Sequence, residues 1–247
     1  MYETFGLKHI IVLAISIALI VVGTIFARKM KFKNICKTLF IVGIISEIVK
    51  VVFYTAINED KLGGILPKSD LPFHLCSIQI IFIAVITISK NEKLKRFILS
   101  FMGPSCLIGG IAAMVLPVYS ALNHWPITFQ YFLYHVALVI FAIYLFTSKE
   151  IKFEVKDYFN SLKFLLIMFF VSMYINSLVY DGISNINFMY VASPPMDGIP
   201  FFNEDNGWLV YICHYAILAV TCITACYAKP IITAIKNRKQ SKVESQK

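Results

Sequence analysis

The chain has 247 residues, 58% of them hydrophobic and 15% charged, with a mean hydropathy of +0.73. A soluble domain is about half apolar and about a quarter charged, so this balance excludes an ordinary water-soluble globule. The 21 Phe and 13 Tyr exclude a disordered chain as well. A formal charge of +9 would suit nucleic acid, but no RNA or DNA motif accompanies it, and nucleic acid is not expected as a partner.

A helix needs about 20 apolar residues to cross about 30 Å of hydrocarbon. Runs of that kind fall at about 7–27, 38–57, 72–89, 97–118, 127–147, 161–181 and 207–228. Helices are predicted because lipid cannot satisfy exposed backbone groups, and the alternation of a membrane barrel is missing. The expectation is one all-α integral membrane domain over residues 1–247, with seven transmembrane helices and a basic tail from 229 to 247. The first span reads as a retained helix and not a cleaved signal peptide, because its basic cluster follows the apolar run.

Charge placement predicts the orientation. Arg28, Lys29, Lys31, Lys33 and Lys37 follow the first span. Lys90, Lys93, Lys95 and Arg96 follow the third, and Lys149, Lys152, Lys156 and Lys163 the fifth. Lys229, Lys236, Arg238, Lys239, Lys242 and Lys247 follow the seventh. Only Lys8, Lys61 and Lys68 lie on the other side, and Lys50 lies within a span. Positive charge marks the cytoplasmic face, which puts the N-terminus out and the C-terminus in. The abundance of Lys, Ile, Phe and Asn fits an AT-rich bacterial genome, so a bacterial plasma membrane is the expected location.

The six cysteines, Cys36, Cys76, Cys106, Cys213, Cys222 and Cys226, form no C-x-x-C knuckle. Neither a metal site, a cofactor nor a disulfide framework is expected. Cys222 and Cys226 share a helix face and read as small-residue packing.

A central charge in a membrane helix costs about 2.5–3.5 kcal/mol on insertion scales, so polar residues that remain there mark candidate sites. The second span carries Glu47 and Lys50, and the third opens with Pro72, His74, Cys76 and Gln79. Gln130 and His135 lie in the fifth, Asn176 and Asp181 in the sixth, and Cys213 and His214 in the seventh. Counted from the outer ends at about 1.5 Å per residue, Cys76 lies ~6 Å deep, Asn176 ~8 Å, Lys50 and His214 ~10 Å, His135 ~12 Å and Glu47 ~15 Å. This layer predicts one buried site beneath the outer surface.

Pro72 suits the first turn of a helix and Asp70 or Ser69 can cap it. Cys76 then falls within the first turn and a half, where the helix dipole favours a thiolate. His74 is two residues away and points elsewhere on a regular helix, so the base must come from another helix; by depth, His135 and His214 both qualify. A thiolate with an imidazole in reach is the minimum for nucleophilic acyl chemistry. Packing roles compete at each position. Glu47 and Lys50 are three apart and can neutralise each other. Asn176 suits an interhelical hydrogen bond, His9 an interfacial position, and His124-Trp125-Pro126 a membrane-edge anchor. Gly103-Pro104 predicts a kink in the fourth span and Gly109-Gly110 a close helix approach.

The segment Leu71-Pro72-Phe73-His74-Leu75-Cys76-Ser77 resembles the LPLHLC signature of the YwaF-like bacterial integral membrane proteins and their animal relatives, the transmembrane protein 164 acyltransferase family. Asn187-Phe188-Met189-Tyr190 resembles that family's stretch after the sixth span, and His135 lies about 60 residues after Cys76, as in the family. Phe73 and Phe188 depart mildly from it. The segment from Ile183 to Asn206 carries Pro194, Pro195 and Pro200, which bears on substrate access.

The resemblance implies a seven-helix fold with Cys76 as nucleophile and His135 as base. The expected function is a Cys/His lipid acyltransferase or acyl-lipid hydrolase working through a thioester on membrane phospholipids. His74, Gln79, Glu47, Lys50, Asn176, Asn187, Tyr190 and His214 are supporting or substrate-binding candidates. A non-enzymatic transporter or lipid-binding protein with a Glu/Lys/His core is the alternative; seven spans without an inverted repeat disfavour a carrier. A retinal pigment is disfavoured because Lys229 lies at the inner edge of the last span.

Overall fold

The computed structural model describes residues 4–57, 66–117, 124–184, 186–195 and 207–244. Lys61, Pro200 and Lys247, named above, lie outside them. The described residues form helices and no strand: α1 (Leu7–Ala27), α2 (Phe32–Val52), α3 (Leu75–Ile88), α4 (Glu92–Val115), α5 (Trp125–Thr147), α6 (Val155–Val179), α7 (Trp208–Cys226) and α8 (Ala228–Glu244). A π-helical turn, Phe53–Ile57, extends α2, and short 3-10 turns occupy Lys68–Asp70 and Phe188–Tyr190.

Among the described residues, six helices are long and apolar enough to cross a membrane: α1, α2 with its extension, α4, α5, α6 and α7. The run expected at 72–89 is the difference. Its helix is only the 14 residues of α3, or about 21 Å, short of the ~30 Å of hydrocarbon. Pro72 does not start it. Phe73 N–H bonds back to Leu71 O at 2.7 Å, and the His74 ring bonds Ser69 O at 2.9 Å. These local bonds fold residues 68–74 into a tight non-helical lead, so neither Ser69 nor Asp70 caps α3. Buried Ile78, Ile80, Phe82, Ile83 and Ile86 place α3 inside the bundle.

Several helices begin earlier than their apolar runs because polar caps extend them. The Asn91 side chain accepts from Lys93 N–H at 3.0 Å and Leu94 N–H at 3.1 Å, starting α4 at Glu92. Glu154 and Asp157 form a capping box that starts α6 at Val155. The Glu150 carboxylate accepts from Phe32 N–H at 3.0 Å at the head of α2.

The most deeply buried spans are α4 and α5, and they pack along each other. α1 and α2 lie on α5, α3 lies between α2 and α4, and α6 and α7 cover the other flank of α4. Gly109 and Gly110 set the spacing near the C-terminal end of α4. A Cβ on Gly109 would sit 3.3 Å from Leu75 Cδ2, and one on Gly110 would sit 2.7 Å from Val139 Cγ2 and 3.2 Å from the His135 carbonyl. The missing side chains let α3 and α5 approach α4 at the same level.

Pro104 produces no break, and α4 runs as one helix through it. Proline has no N–H for the carbonyl four residues back. The buried Tyr227 hydroxyl supplies the donor instead, bonding Ser100 O at 2.7 Å. One turn earlier on α4, Arg96 grips the fully buried Asp157 with two 2.8 Å bonds, from Nε and Nη2, tying α4 to α6. Tyr227 separates α7 from α8, so part of the expected basic tail is helical.

Candidate functional site

Cys76 is the second residue of α3. His74 is the N-cap and no side chain caps the helix. The first helical hydrogen bond runs from Ile78 N–H to His74 O at 3.0 Å. The N–H groups of Leu75, Cys76 and Ser77 therefore have no carbonyl partner among the described residues. These donors and the positive end of the helix dipole surround a half-buried thiol.

A polar layer meets this turn from three helices. On α2, Lys50 Nζ and Glu47 Oε2 are 2.8 Å apart, and Ser77 Oγ donates to Glu47 Oε1 at 2.8 Å. The pair is closed on itself and on α3, which is how the interior tolerates both charges. Ser46, next to Glu47, donates through Oγ to Gln130 Oε1 on α5. On α5, the Tyr134 hydroxyl donates to Cys76 O at 2.8 Å. On α4, Ser105 Oγ accepts from Gln79 Nε2 at 3.0 Å.

The histidines differ in what their rings leave available. His135 Nδ1 lies 2.6 Å from Tyr131 O, and a carbonyl can only accept, so Nδ1 carries the proton. Nε2 then holds a lone pair and has no hydrogen-bond partner among the described residues. His9 is saturated: Nδ1 accepts from Phe5 N–H at 3.0 Å and Nε2 donates to Met114 O at 2.8 Å. His9 is 1% exposed, which replaces the interfacial position expected for it by a buried clamp between α1 and α4. His74 donates through Nε2 to Ser69 O. His214 is half-buried on α7. No hydrogen bond joins Cys76 to His135 or His214.

The two segments that carry the family resemblance pack on each other. The ring centroids of Phe73 and Phe188 are 5.4 Å apart, those of His74 and Phe188 5.1 Å, and those of His74 and Tyr190 6.0 Å. Met189 and Tyr190 are held at φ +56° and +53°, a left-handed conformation costing about 1–3 kcal/mol each for non-glycine residues. Side chains from α6 and α7 fix the turn. Asn176 Oδ1 accepts from Phe188 N–H at 2.8 Å, and Phe188 O accepts from Ser172 Oγ at 2.7 Å and Asn176 Nδ2 at 3.3 Å. The Tyr211 hydroxyl donates to Tyr190 O, Tyr215 to Met189 O at 3.1 Å, and the Trp208 indole to Val191 O at 2.9 Å. Asn187 bridges to Ser193. The Tyr190 phenol is pushed up to about 12 by burial, with Cys76 and Tyr215 close enough to add to the shift.

The structure thus gathers Cys76, Glu47, Lys50, Gln79, His74 and Tyr190 around the head of α3. It spends the amides of Asn176 and Asn187 on the backbone of the 187–193 turn. Residues that sequence reasoning passed over include Tyr134, Ser77, Ser105, Tyr211 and Tyr215. Ser77 was legible within the signature, but the tyrosines read as ordinary apolar bulk in a chain with 13 of them. No group of three His, Cys, Asp or Glu able to hold a metal occurs among the described residues.

Long apolar helices around a polar interior define a multi-pass helical membrane protein. The chain belongs to the TMEM164 family, whose sequence model matches residues 4–227. No curated protein and no solved structure matches the chain.

Proposed function

We propose that the protein is a membrane-embedded acyl-transfer enzyme acting on phospholipids, with Cys76 as nucleophile. The observation that supports it best is the uncapped head of α3, where three amide donors and a thiol share one helical turn. Cys76 attacks the acyl ester of a phospholipid, the C–S bond forms, and the lipid alcohol leaves. The N–H groups of Leu75, Cys76 and Ser77, which have no carbonyl partner among the described residues, stabilise the tetrahedral oxyanion. Donors are what that charge needs, and the amides of Asn176 and Asn187 are already bonded to backbone. His135 Nε2 takes the thiol proton and later gives a proton to the departing alcohol. Such pairs are often looser in the empty site than in the working complex. The Glu47–Lys50–Ser77 cluster supports the turn and faces a polar headgroup.

In this reading α3 with its lead completes a seventh crossing, the N-terminus lies outside, and the site opens beneath the outer leaflet of a bacterial plasma membrane. The test uses purified protein in phospholipid micelles carrying a radiolabelled acyl chain. Transfer of label to the protein, at Cys76 by peptide mapping, is expected, with loss in Cys76→Ala and at least a hundredfold slowing in His135→Ala. Unchanged turnover in both variants overturns the mechanism. Transport of a lipid or ion that survives Cys76→Ser but not Glu47→Gln would favour a carrier instead.

A further inference from the structure

Gln79 has one unpartnered polar atom. It is 1% exposed, one turn after Cys76 and three residues along the helix, so the two side chains share a face of α3. Its Nε2 donates to Ser105 Oγ at 3.0 Å, while Oε1 is buried without a donor. Exchanging the amide's oxygen and nitrogen does not remove the problem. Ser105 Oγ already donates its only hydrogen to Phe101 O at 2.7 Å, so it can offer Gln79 an acceptor and nothing else. The orphan is therefore a carbonyl oxygen, and what it lacks is a hydrogen-bond donor. An oxyanion is the wrong complement for it.

The second free acceptor near this level is His135 Nε2, whose lone pair is fixed by the Nδ1 bond to Tyr131 O. α4 forms the common wall. It holds Gln79 at Ser105, Leu75 at Gly109 and the His135 backbone at Gly110. Tyr134, adjacent to His135, is bonded to the Cys76 carbonyl. Two acceptors, neither bringing a donor of its own, complement a small molecule with two hydrogens on one oxygen.

We propose that Gln79 Oε1 and His135 Nε2 together seat the water molecule that hydrolyses the Cys76 acyl-enzyme. The inference rests on the acyl-transfer reading above. In the step, the water oxygen attacks the thioester carbonyl carbon. A C–O bond forms and the C–S bond breaks. One water hydrogen passes through His135 to the sulfur, restoring the thiol, and the other stays on the fatty acid, donated to Gln79 Oε1 during attack. An alcohol acceptor with a single hydroxyl has only the hydrogen that His135 must take. Gln79 therefore favours hydrolysis over transfer to a monohydroxy lysophospholipid.

The experiment compares the parent with Gln79→Met, and with Gln79→Leu combined with Ser105→Ala, in full-length protein in detergent. Labelled phospholipid is supplied with and without a lysophospholipid. Acylation of Cys76, release of fatty acid and transfer to lysophospholipid are followed separately. Whatever the variants do to acylation, the ratio of fatty acid released to acyl group transferred, read from the same acyl-enzyme, should fall about tenfold in both, as loss of one hydrogen bond to the attacking water implies. Acyl-enzyme accumulates when no acceptor lipid is present. Equal slowing of both branches, or unchanged hydrolysis, overturns the proposal. So does a parent that acylates but releases no fatty acid. A parent that never acylates Cys76 overturns the acyl-transfer reading itself, a result distinct from all of these.

Discussion

Asn176 holds the turn that faces the head of α3, and replacing it with alanine tests how that turn is kept in place. Phe188 is fully buried, and its N–H has Asn176 Oδ1 as partner at 2.8 Å. Its carbonyl keeps the 2.7 Å bond from Ser172 when Asn176 is lost. The damage is thus one buried N–H left without an acceptor, worth about 1–3 kcal/mol. That energy opposes the left-handed strain at Met189 and Tyr190, itself about 1–3 kcal/mol per residue, so its loss should act locally. Local opening of residues 186–195 should become roughly 5- to 150-fold more favourable, as 1–3 kcal/mol implies. Hydrogen exchange followed by mass spectrometry reads this directly in the peptide covering 186–195, while α5 serves as the unchanged reference. Asn176→Asp retains an acceptor for the N–H but points a second oxygen at the Phe188 carbonyl, so its effect should be smaller than alanine's. Exchange in 186–195 that is unchanged in Asn176→Ala would refute the view that the side chain restrains the turn.

At the other end of the bundle, Arg96→Ala should destabilise more than Asp157→Ala. The first leaves a fully buried carboxylate with only the Glu154 N–H as partner, at about 3–5 kcal/mol, whereas the second loses that capping contact and releases a guanidinium whose side chain is 47% exposed and can rehydrate, at about 2–4 kcal/mol together; thermal unfolding in detergent gives the order, and a reversed order contradicts it. The Asp181 carboxyl is held well below its ordinary value by the N–H groups of Ser184 and Ile183, then by Lys68. A depressed folded pKa stabilises the turn above the unfolded value near 3.9 and loses that contribution as pH falls through the folded one. A carbon-13 NMR titration should therefore place its midpoint below about 3.9, rising in Lys68→Ala; a midpoint at or above the ordinary value counts against the turn.

Long-range pairing separates what was legible in the chain from what was not. The membrane class and the approximate place of six spans follow from apolar run length, since hydrocarbon thickness sets the length and backbone satisfaction imposes the helix. The importance of residues 71–77 was legible from the family resemblance, and the Glu47–Lys50 pair from helical spacing. Hydropathy misplaced the starts of α4 and α6, because Asn91 and the Glu154–Asp157 box extend helices through charged turns. It overextended α3 because Leu71 and Phe73 are apolar but bonded locally into a tight lead.

The sequence by itself determined that this chain is helical, embedded in lipid, and provided with more polar groups than lipid tolerates unpaired. Only the tertiary structure decided how those groups pair. It turned His9 into a saturated clamp, left His135 with a lone pair and Gln79 with a bare oxygen, and gave the carbonyl freed by Pro104 to Tyr227. Hydrogen-bond satisfaction is a property of three-dimensional neighbours, and those partners lie up to 127 positions apart in the chain.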